Sequence, residues 1–183
     1  MLKKDDNGLM TQIRVCIDVR KLNQYLLEND HFVIPFIHST FAQLAGKKIF
    51  GEIDIGNAYM QMKLDEQSKQ YTAFTFGGQQ YMFNVVPFGI KHIPSLFQRY
   101  MSQLFHDMSF VAVYIDNICF ASDTWEQHAQ HLNAIIDRLN SVNMRIKPSS
   151  INVGNYQIKL LGHVVSPVGV VISDEILVLI VFL

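Results

Sequence analysis

Cysteine is scarce in this 183-residue chain, with only Cys16 and Cys119. Both sit in apolar, strand-like runs without C-x-x-C or Cys/His spacing. That excludes a disulfide framework and a zinc site, and it points to buried thiols in a reducing compartment. Charge is sparse as well. Charged residues make up 17% and the formal net charge is −1, so the chain as a whole carries no electrostatic footprint of a nucleic-acid binder and any basic groove must be local. Long apolar runs are missing. The stretch 176–183 is intensely apolar but too short to span a bilayer, and Asp174-Glu175 closes it upstream. The start, Met1-Leu2-Lys3-Lys4-Asp5-Asp6, lacks the apolar region of a secretion signal. The expectation is an intracellular protein, cytoplasmic or nuclear, with no membrane partner. Repeats, low-complexity tracts and linkers are absent. What the chain does have is 49% hydrophobic residues, enough to bury a substantial core in one domain or one and a half.

The organising stretch is Phe110-Val111-Ala112-Val113-Tyr114-Ile115-Asp116-Asn117-Ile118-Cys119-Phe120-Ala121. Two short apolar runs rich in β-branched and aromatic residues flank Asp116-Asn117. Those two residue types tolerate the positive φ of a two-residue hairpin turn, so the expected tip is Asp116-Asn117. On the tip alone an ordinary Asx turn is the plainer reading. Upstream, Ile49-Phe50-Gly51-Glu52-Ile53-Asp54-Ile55 brings a second apolar strand to a carboxylate. Two strands can therefore present Asp54 and Asp116 side by side, an arrangement suited to Mg²⁺ and a nucleoside triphosphate.

In chain order, the alternation Ile13, Val15, Ile17, Val19 predicts a strand, with Arg20, Lys21 and Asn23 at its solvated end or on phosphate. A loop holds Pro35. Ser39 is the expected N-cap of a short helix that stops at Gly46. Small residues after Asp54 leave room for a ligand beside Tyr59, whose ring is as readily a packed tyrosine. The runs 71–76 and 81–86 predict a strand pair about Gly77-Gly78, broken by Pro87. A helix is expected over 93–105, with Pro94 in its first turn, and another over 124–143 capped by Ser122 or Asp123. His128 and His131 are three apart on the second helix, read as flank residues beside its apolar stripe and not as metal ligands. A last hairpin strand is expected over 158–165. This order suits an α+β palm, with helices on one face of an antiparallel sheet and carboxylates on the other.

At this point the motifs resemble a known family. Val15-Cys16-Ile17-Asp18-Val19-Arg20-Lys21-Leu22-Asn23, Phe50-Gly51-Glu52-Ile53-Asp54-Ile55-Gly56-Asn57-Ala58-Tyr59, Thr72-Ala73-Phe74-Thr75, Val86-Pro87-Phe88-Gly89-Ile90, Phe97-Gln98-Arg99-Tyr100-Met101, Tyr114-Ile115-Asp116-Asn117 and Leu161-Gly162-His163-Val164-Val165-Ser166 occur in the order and spacing of reverse transcriptases. The chain is most similar to those of long-terminal-repeat retrotransposons of the Ty3/gypsy type, from Lys3 to about Val170. The resemblance implies a palm with partial fingers over 1–170 and a divergent apolar tail over 171–183. It implies RNA-directed DNA synthesis from deoxynucleoside triphosphates on an RNA or DNA template-primer. Asp54 and Asp116, with Ile55, would hold two Mg²⁺ ions, or Mn²⁺ in their place. Tyr59, Phe88, Gly89 and Tyr114 would line the nucleotide pocket. Arg20, Lys21 and Asn23 would belong to the fingers, Gln98 to the template side, and Leu161, Gly162 and His163 to the primer grip.

The chain departs from the family pattern in three respects. Asn117 stands where the family hairpin has a second aspartate, bringing an amide but no charge to a site for divalent cations, so impaired catalysis is expected. The thumb, connection and ribonuclease H segments and the early fingers are expected to be missing, as in a truncated chain. The apolar tail invites self-association. A catalytically inactive nucleic-acid-binding palm and a non-functional retrotransposon remnant are the alternatives to a working polymerase.

Overall fold

The computed structural model describes residues 2–4, 10–13, 17–27 and 32–173. In chain order the elements are β1 (Leu2–Lys4), β2 (Met10–Ile13), α1 (Arg20–Tyr25), α2 (Ile37–Ala42), β3 (Ile49–Asp54), α3 (Glu66–Lys69), β4 (Phe74–Phe76), β5 (Gln79–Tyr81), α4 (Ile93–Leu104), β6 (Val111–Tyr114), β7 (Asn117–Ser122), α5 (Trp125–Ser141), β8 (Ile151–Asn155), β9 (Ile158–Leu160), β10 (His163–Ser166) and β11 (Gly169–Ile172). They form two compact units, Met1–Asn29 with Asn57–Ile93, and Asp30–Gly56 with Pro94–Leu183.

The second unit is built on a four-stranded sheet in the order β6-β7-β3-β8. In β3 the alternation sends Phe50, Glu52 and Asp54 to one face and Ile49, Gly51 and Ile53 to the other. β3 pairs antiparallel with β7, and Gly51 faces Phe120. A Cβ on Gly51 would come within 2.4 Å of the Phe120 ring, so the glycine makes room for it. That face is covered by the long helices. α5 reaches it through a stack of His128 on Phe120, ring centroids 4.6 Å apart, and a forked Arg138–Asp107 ion pair ties α5 to the segment after α4. On the opposite face Phe50, Ala112, Cys119 and Ala121 are buried with Phe41 and Leu44 from the α2 region and with Ile158 and Val165 from the small sheet β11-β10-β9. The α+β class holds, with the long helices on one face and the carboxylates on the other. One short helix shares the carboxylate face.

α4 and α5 form where the 3.6-residue period lies. Phe97, Met101, Ile135 and Leu139 are fully buried. Pro94 sits in the first turn of α4. The cap of α5 is Thr124, whose Oγ1 accepts the Gln127 N–H, and not Ser122 or Asp123. In α2 the helix begins at Ile37, two residues before the expected cap, and Ser39 instead donates to the Phe36 carbonyl from inside the first turn. Gly46, with φ +81°, ends that region as expected.

In the first unit β1 pairs with β2, and β4 pairs with β5 about Gly77-Gly78. The strand expected through Val19 does not persist. Residues 17–19 are irregular, and Arg20, Lys21 and Asn23 lie on the short helix α1. Cys16 and the apolar run 176–183 fall outside the described residues. Among the described residues, no helix is long and apolar enough to cross a membrane.

Candidate active site on the β3–β7 register

The pairing of β3 with β7 carries the site. Asp54 stands directly opposite Asn117, and one step further the Ile55 N–H donates to the Asp116 carbonyl at 2.9 Å. Tyr114 pairs with Asn117 across β6 and β7, so the two-residue turn is Ile115-Asp116. The expected tip was one residue late: Asn117 is the first residue of β7, and the turn takes a β-branched residue. Ile115 has φ +53°, and it is the only one of the two turn residues with positive φ. A turn with positive φ only at its first residue belongs to the primed hairpin class that ordinarily puts glycine there. A β-branched residue in that region is strained.

The consequence is a close group of side chains at one strand end. Asp54 is exposed, while Asp116 and Asn117 are half-buried. Burial pushes the Asp116 carboxyl above its ordinary value. A bond from its own backbone opposes the shift, and the charge of Asp54 adds to it. The Asn117 amide donates to Asp116 Oδ1 at 3.1 Å. Two carboxylates on adjacent strands suit Mg²⁺, which keeps water in its shell and shares substrate phosphates. Among the described residues no group of three or more His, Cys, Asp or Glu converges on an ion. The donor set therefore fits a divalent cation that relies on phosphate oxygens, with Asn117 adding no charge.

Tyr114 is half-buried on the face that bears Asp54, its ring 6.5 Å from that of Phe41. Glu52, also on that face, was not singled out from the sequence. Asn152 donates to one of its oxygens at 3.3 Å, and the other oxygen is buried with no hydrogen-bond partner among the described residues. Burial and the charge of Glu52 push the neighbouring Cys119 thiol far up, so it is inert. Leu161 and Gly162 form the turn between β9 and β10, both with positive φ, and His163 opens β10. Their sheet packs through Ile158 and Val165 on the carboxylate-bearing face.

Expected on the template side, Gln98 is buried at 1% exposure. Its amide nitrogen donates to the Val113 carbonyl at 3.0 Å and to Ser102 Oγ at 3.1 Å, and its amide oxygen accepts the Ile115 N–H. The signal was present in the sequence. Gln98 falls three residues before Met101 and seven before Phe105, on the apolar face of α4, where an amide must find partners.

The remaining site candidates belong to the first unit. Tyr59 and Phe88 meet edge to face, with centroids 6.2 Å apart. Asn23 donates to the Gly89 carbonyl at 2.8 Å and accepts the Lys91 N–H at 3.0 Å, so it fixes a loop whose glycine has φ +99°. A Cβ on Gly89 would lie 2.9 Å from Val19. Arg20 forks onto Asp18, Nε to Oδ1 at 2.9 Å and Nη2 to Oδ2 at 2.6 Å, which lowers the Asp18 pKa to about 2. Lys21 is exposed.

Comparison with known proteins identifies the family. The profile of the reverse transcriptase (RNA-dependent DNA polymerase) family matches residues 1–165. Polyprotein P3 of Commelina yellow mottle virus is 33% identical over 150 residues, covering 81% of this chain and 8% of the polyprotein. The retrovirus-related Pol polyprotein from transposon 297 of Drosophila melanogaster is 28% identical over 170 residues, covering 92% of this chain and 16% of that one. The chain thus spans a small part of these relatives. The structure of the foamy viral protease-reverse transcriptase in complex with RNA/DNA hybrid superimposes with a TM-score of 0.77 at 22% identity, covering 86% of this chain and 21% of the other, and so shares its fold. With a family profile spanning nearly its whole length, the chain belongs to the reverse transcriptase (RNA-dependent DNA polymerase) family.

Proposed function

We propose that this chain is the fingers and palm of a Ty3/gypsy-type reverse transcriptase, with the first unit as fingers and the second as palm. In this reading it extends a primer on an RNA or DNA template. The oxygen of the primer 3′-hydroxyl bonds to the α-phosphorus of a deoxynucleoside triphosphate, the bond from that phosphorus to the β-phosphate bridge breaks, pyrophosphate leaves, and the hydroxyl proton passes to solvent. The observation that carries the proposal is the register that sets Asp54 opposite Asn117 with Asp116 in the adjoining turn. Support for the subtype comes from the order of the motifs and from the likeness to the transposon 297 polyprotein.

Reverse transcriptases use divalent metal ions. Asp54 and Asp116, with the Ile55 carbonyl, would hold two Mg²⁺ or, in their place, Mn²⁺. When bound, such ions would supply acidification of the attacking hydroxyl and neutralisation of the pyrophosphate charge. The protein's own part is to hold two charged carboxylates at a fixed separation. The raised pKa of Asp116 makes that harder at low pH, and a nearby cation would offset the shift. Tyr59, Phe88 and Gly89 are proposed to receive the nucleotide, and Leu161, Gly162 and His163 the primer strand. Arg20, Lys21 and Asn23 are proposed for the template. A nucleic-acid partner is supported by the complex with RNA/DNA hybrid formed by the foamy viral neighbour.

A second reading, a palm that binds nucleic acid without chemistry, is favoured by one contact. The Asn117 amide nitrogen, a donor, is bonded to Asp116 Oδ1, one of the two oxygens a cation would use. The test is Mg²⁺-dependent primer extension by the chain and by Asn117→Asp. Extension by both marks a polymerase that tolerates the amide. Extension by Asn117→Asp alone, with a gain on the order of 10²-fold, the scale of one electrostatic stabiliser, marks Asn117 as the lesion. Silence from both, with nucleic acid still bound, leaves the binding reading.

A further inference from the structure

β6 is an edge strand, hydrogen-bonded on one side only, to β7. Its inward groups are used: the Ala121 N–H donates to the Phe110 carbonyl, and the alternation continues to the Tyr114–Asn117 pair. The outward groups of alternate residues would be left open. The Val111 N–H donates to the Met108 carbonyl, and two glutamines close three more of these groups. Gln43 Nε2 donates to the Val111 carbonyl at 3.0 Å, and Gln98 Nε2 donates to the Val113 carbonyl at 3.0 Å while Gln98 Oε1 accepts the Ile115 N–H. A side-chain amide has the donor and acceptor of a peptide group. Gln98 thus makes the pair of bonds, to residues two apart on one strand, that a neighbouring strand would make.

The second of those bonds falls on a strained residue. Ile115 holds φ +53°, a conformation that no local preference of isoleucine supports. Asp116 follows it, with its carbonyl tied to the Ile55 N–H and its carboxylate to Asn117. If the turn relaxed, Asp116 would swing away from Asp54. Gln98 is almost wholly buried and so cannot exchange these bonds for water. Its own orientation is set by Ser102, one turn along α4.

We propose that Gln98 is a positioning residue for the Asp116 carboxylate: its buried amide stands in for a missing edge strand and holds the Ile115 turn so that Asp116 faces Asp54. The proposal rests on reading Asp54 and Asp116 as the ion-holding pair. It assigns Gln98 no contact with substrate and places its effect on the affinity for the ion.

The experiment is Mn²⁺ binding to the full chain, followed by electron paramagnetic resonance, for the parent, Gln98→Leu, Ile115→Gly and the double variant. Gln98→Leu is expected to weaken Mn²⁺ binding about tenfold or more, the scale of one buried donor left unpaired. Glycine adopts positive φ without steric cost, so Ile115→Gly in the Gln98→Leu background is expected to recover most of that loss. A role in core packing alone would not be rescued by a change in the turn. Unchanged affinity in Gln98→Leu, or a loss that Ile115→Gly leaves intact, overturns the proposal. A parent that binds no Mn²⁺ overturns the ion-holding reading itself. If Gln98→Leu does not fold, amide hydrogen exchange at Ile115 in the parent decides: protection well above that of the open Gly77-Gly78 turn supports the clamp, and equal exchange rejects it.

Discussion

Both units expose some apolar residues, Phe36 and Val168 of the second among them, but they differ in how large a core they bury. All of the largest fully buried side chains among the described residues, including Phe41, Phe50, Phe97, Phe120, Ile118 and Leu139, lie in the second unit. The first unit buries a modest set, Val19, Ala58, Val86 and Ile93, and leaves Tyr25 82% and Phe76 73% exposed. It encloses an open cleft lined by Asp18, Val19, Leu22, Thr72, Phe74 and Tyr81, among others. The candidate catalytic carboxylates are mounted on the unit that carries its own core. A site that must hold two negative charges close together needs a support that does not yield, whereas surfaces that meet a long polymer gain from being open.

The sharpest way to break this comparison is to remove one large ring from each unit. Phe120→Ala should cost about 3–5 kcal/mol, because the cavity left over Gly51 lies in a packed interior. Phe76→Ser should change stability by less than about 0.5 kcal/mol. The single tryptophan, Trp125, packs on Gly154 in the second unit and gives a fluorescence signal confined to it during denaturant unfolding. Equal costs for the two substitutions would mean that the units share their stability and that the contrast in burial has no energetic meaning.

The second expected effect is acid sensitivity in the second unit. His128 Nε2 accepts the Gly154 N–H at 3.2 Å, so the proton of the neutral ring is on Nδ1, 3.0 Å from Ser122 Oγ. Ser122 lies 2.9 Å from His131 Nδ1 in turn. Burial lowers the pKa of both histidines from 6.5. The neighbouring His131 lowers His128 further, and for His131 the Ala121 carbonyl and Asp123 oppose the shift while Lys47 adds to it. A group whose folded pKa is depressed favours the folded state when neutral. The contribution is therefore full above the unfolded value of 6.5 and is lost as pH falls through the lower folded value. The denaturant midpoint should drop on acidification below about 6.5, and His128→Gln should flatten that drop. A midpoint that stays level through this window would mean the histidines carry no linkage.

The same contrast between the units explains what the sequence disclosed. The periods of α4 and α5 and the apolar alternation of β3, β6 and β7 are legible because burial on one face writes them into the residue order. The nearness of Asp54 to Asp116 followed from two strand ends, although Asp54 pairs with Asn117. The turn was placed one residue late because Asp116-Asn117 has the better local turn chemistry. The observed turn is instead bonded by Gln98, fifteen residues before Val113 and seventeen before Ile115, a partner that local turn chemistry does not announce. In the first unit the pattern 13–19 alternates like a strand, yet the chain turns into α1 at Arg20. Asn23, which holds the Gly89 loop on both sides, is a tertiary partner 66 residues away that no local period announces.

The smallest expected effect concerns the proposed fingers. Arg20 is exposed and already forked onto Asp18, so a phosphate must compete with a carboxylate that has the same bidentate geometry. Removing the competitor leaves the guanidinium free without touching the core. Asp18→Asn should therefore bind an RNA/DNA primer-template more tightly at low salt, and the slope of log affinity against log salt should steepen by up to about 1, the equivalent of one added phosphate contact. A steeper slope places Arg20 on the nucleic-acid path. An unchanged slope would mean that its pairing with Asp18 only ties the 17–19 segment to the start of α1, and the open character of this unit would then have to be explained by its aromatic residues alone.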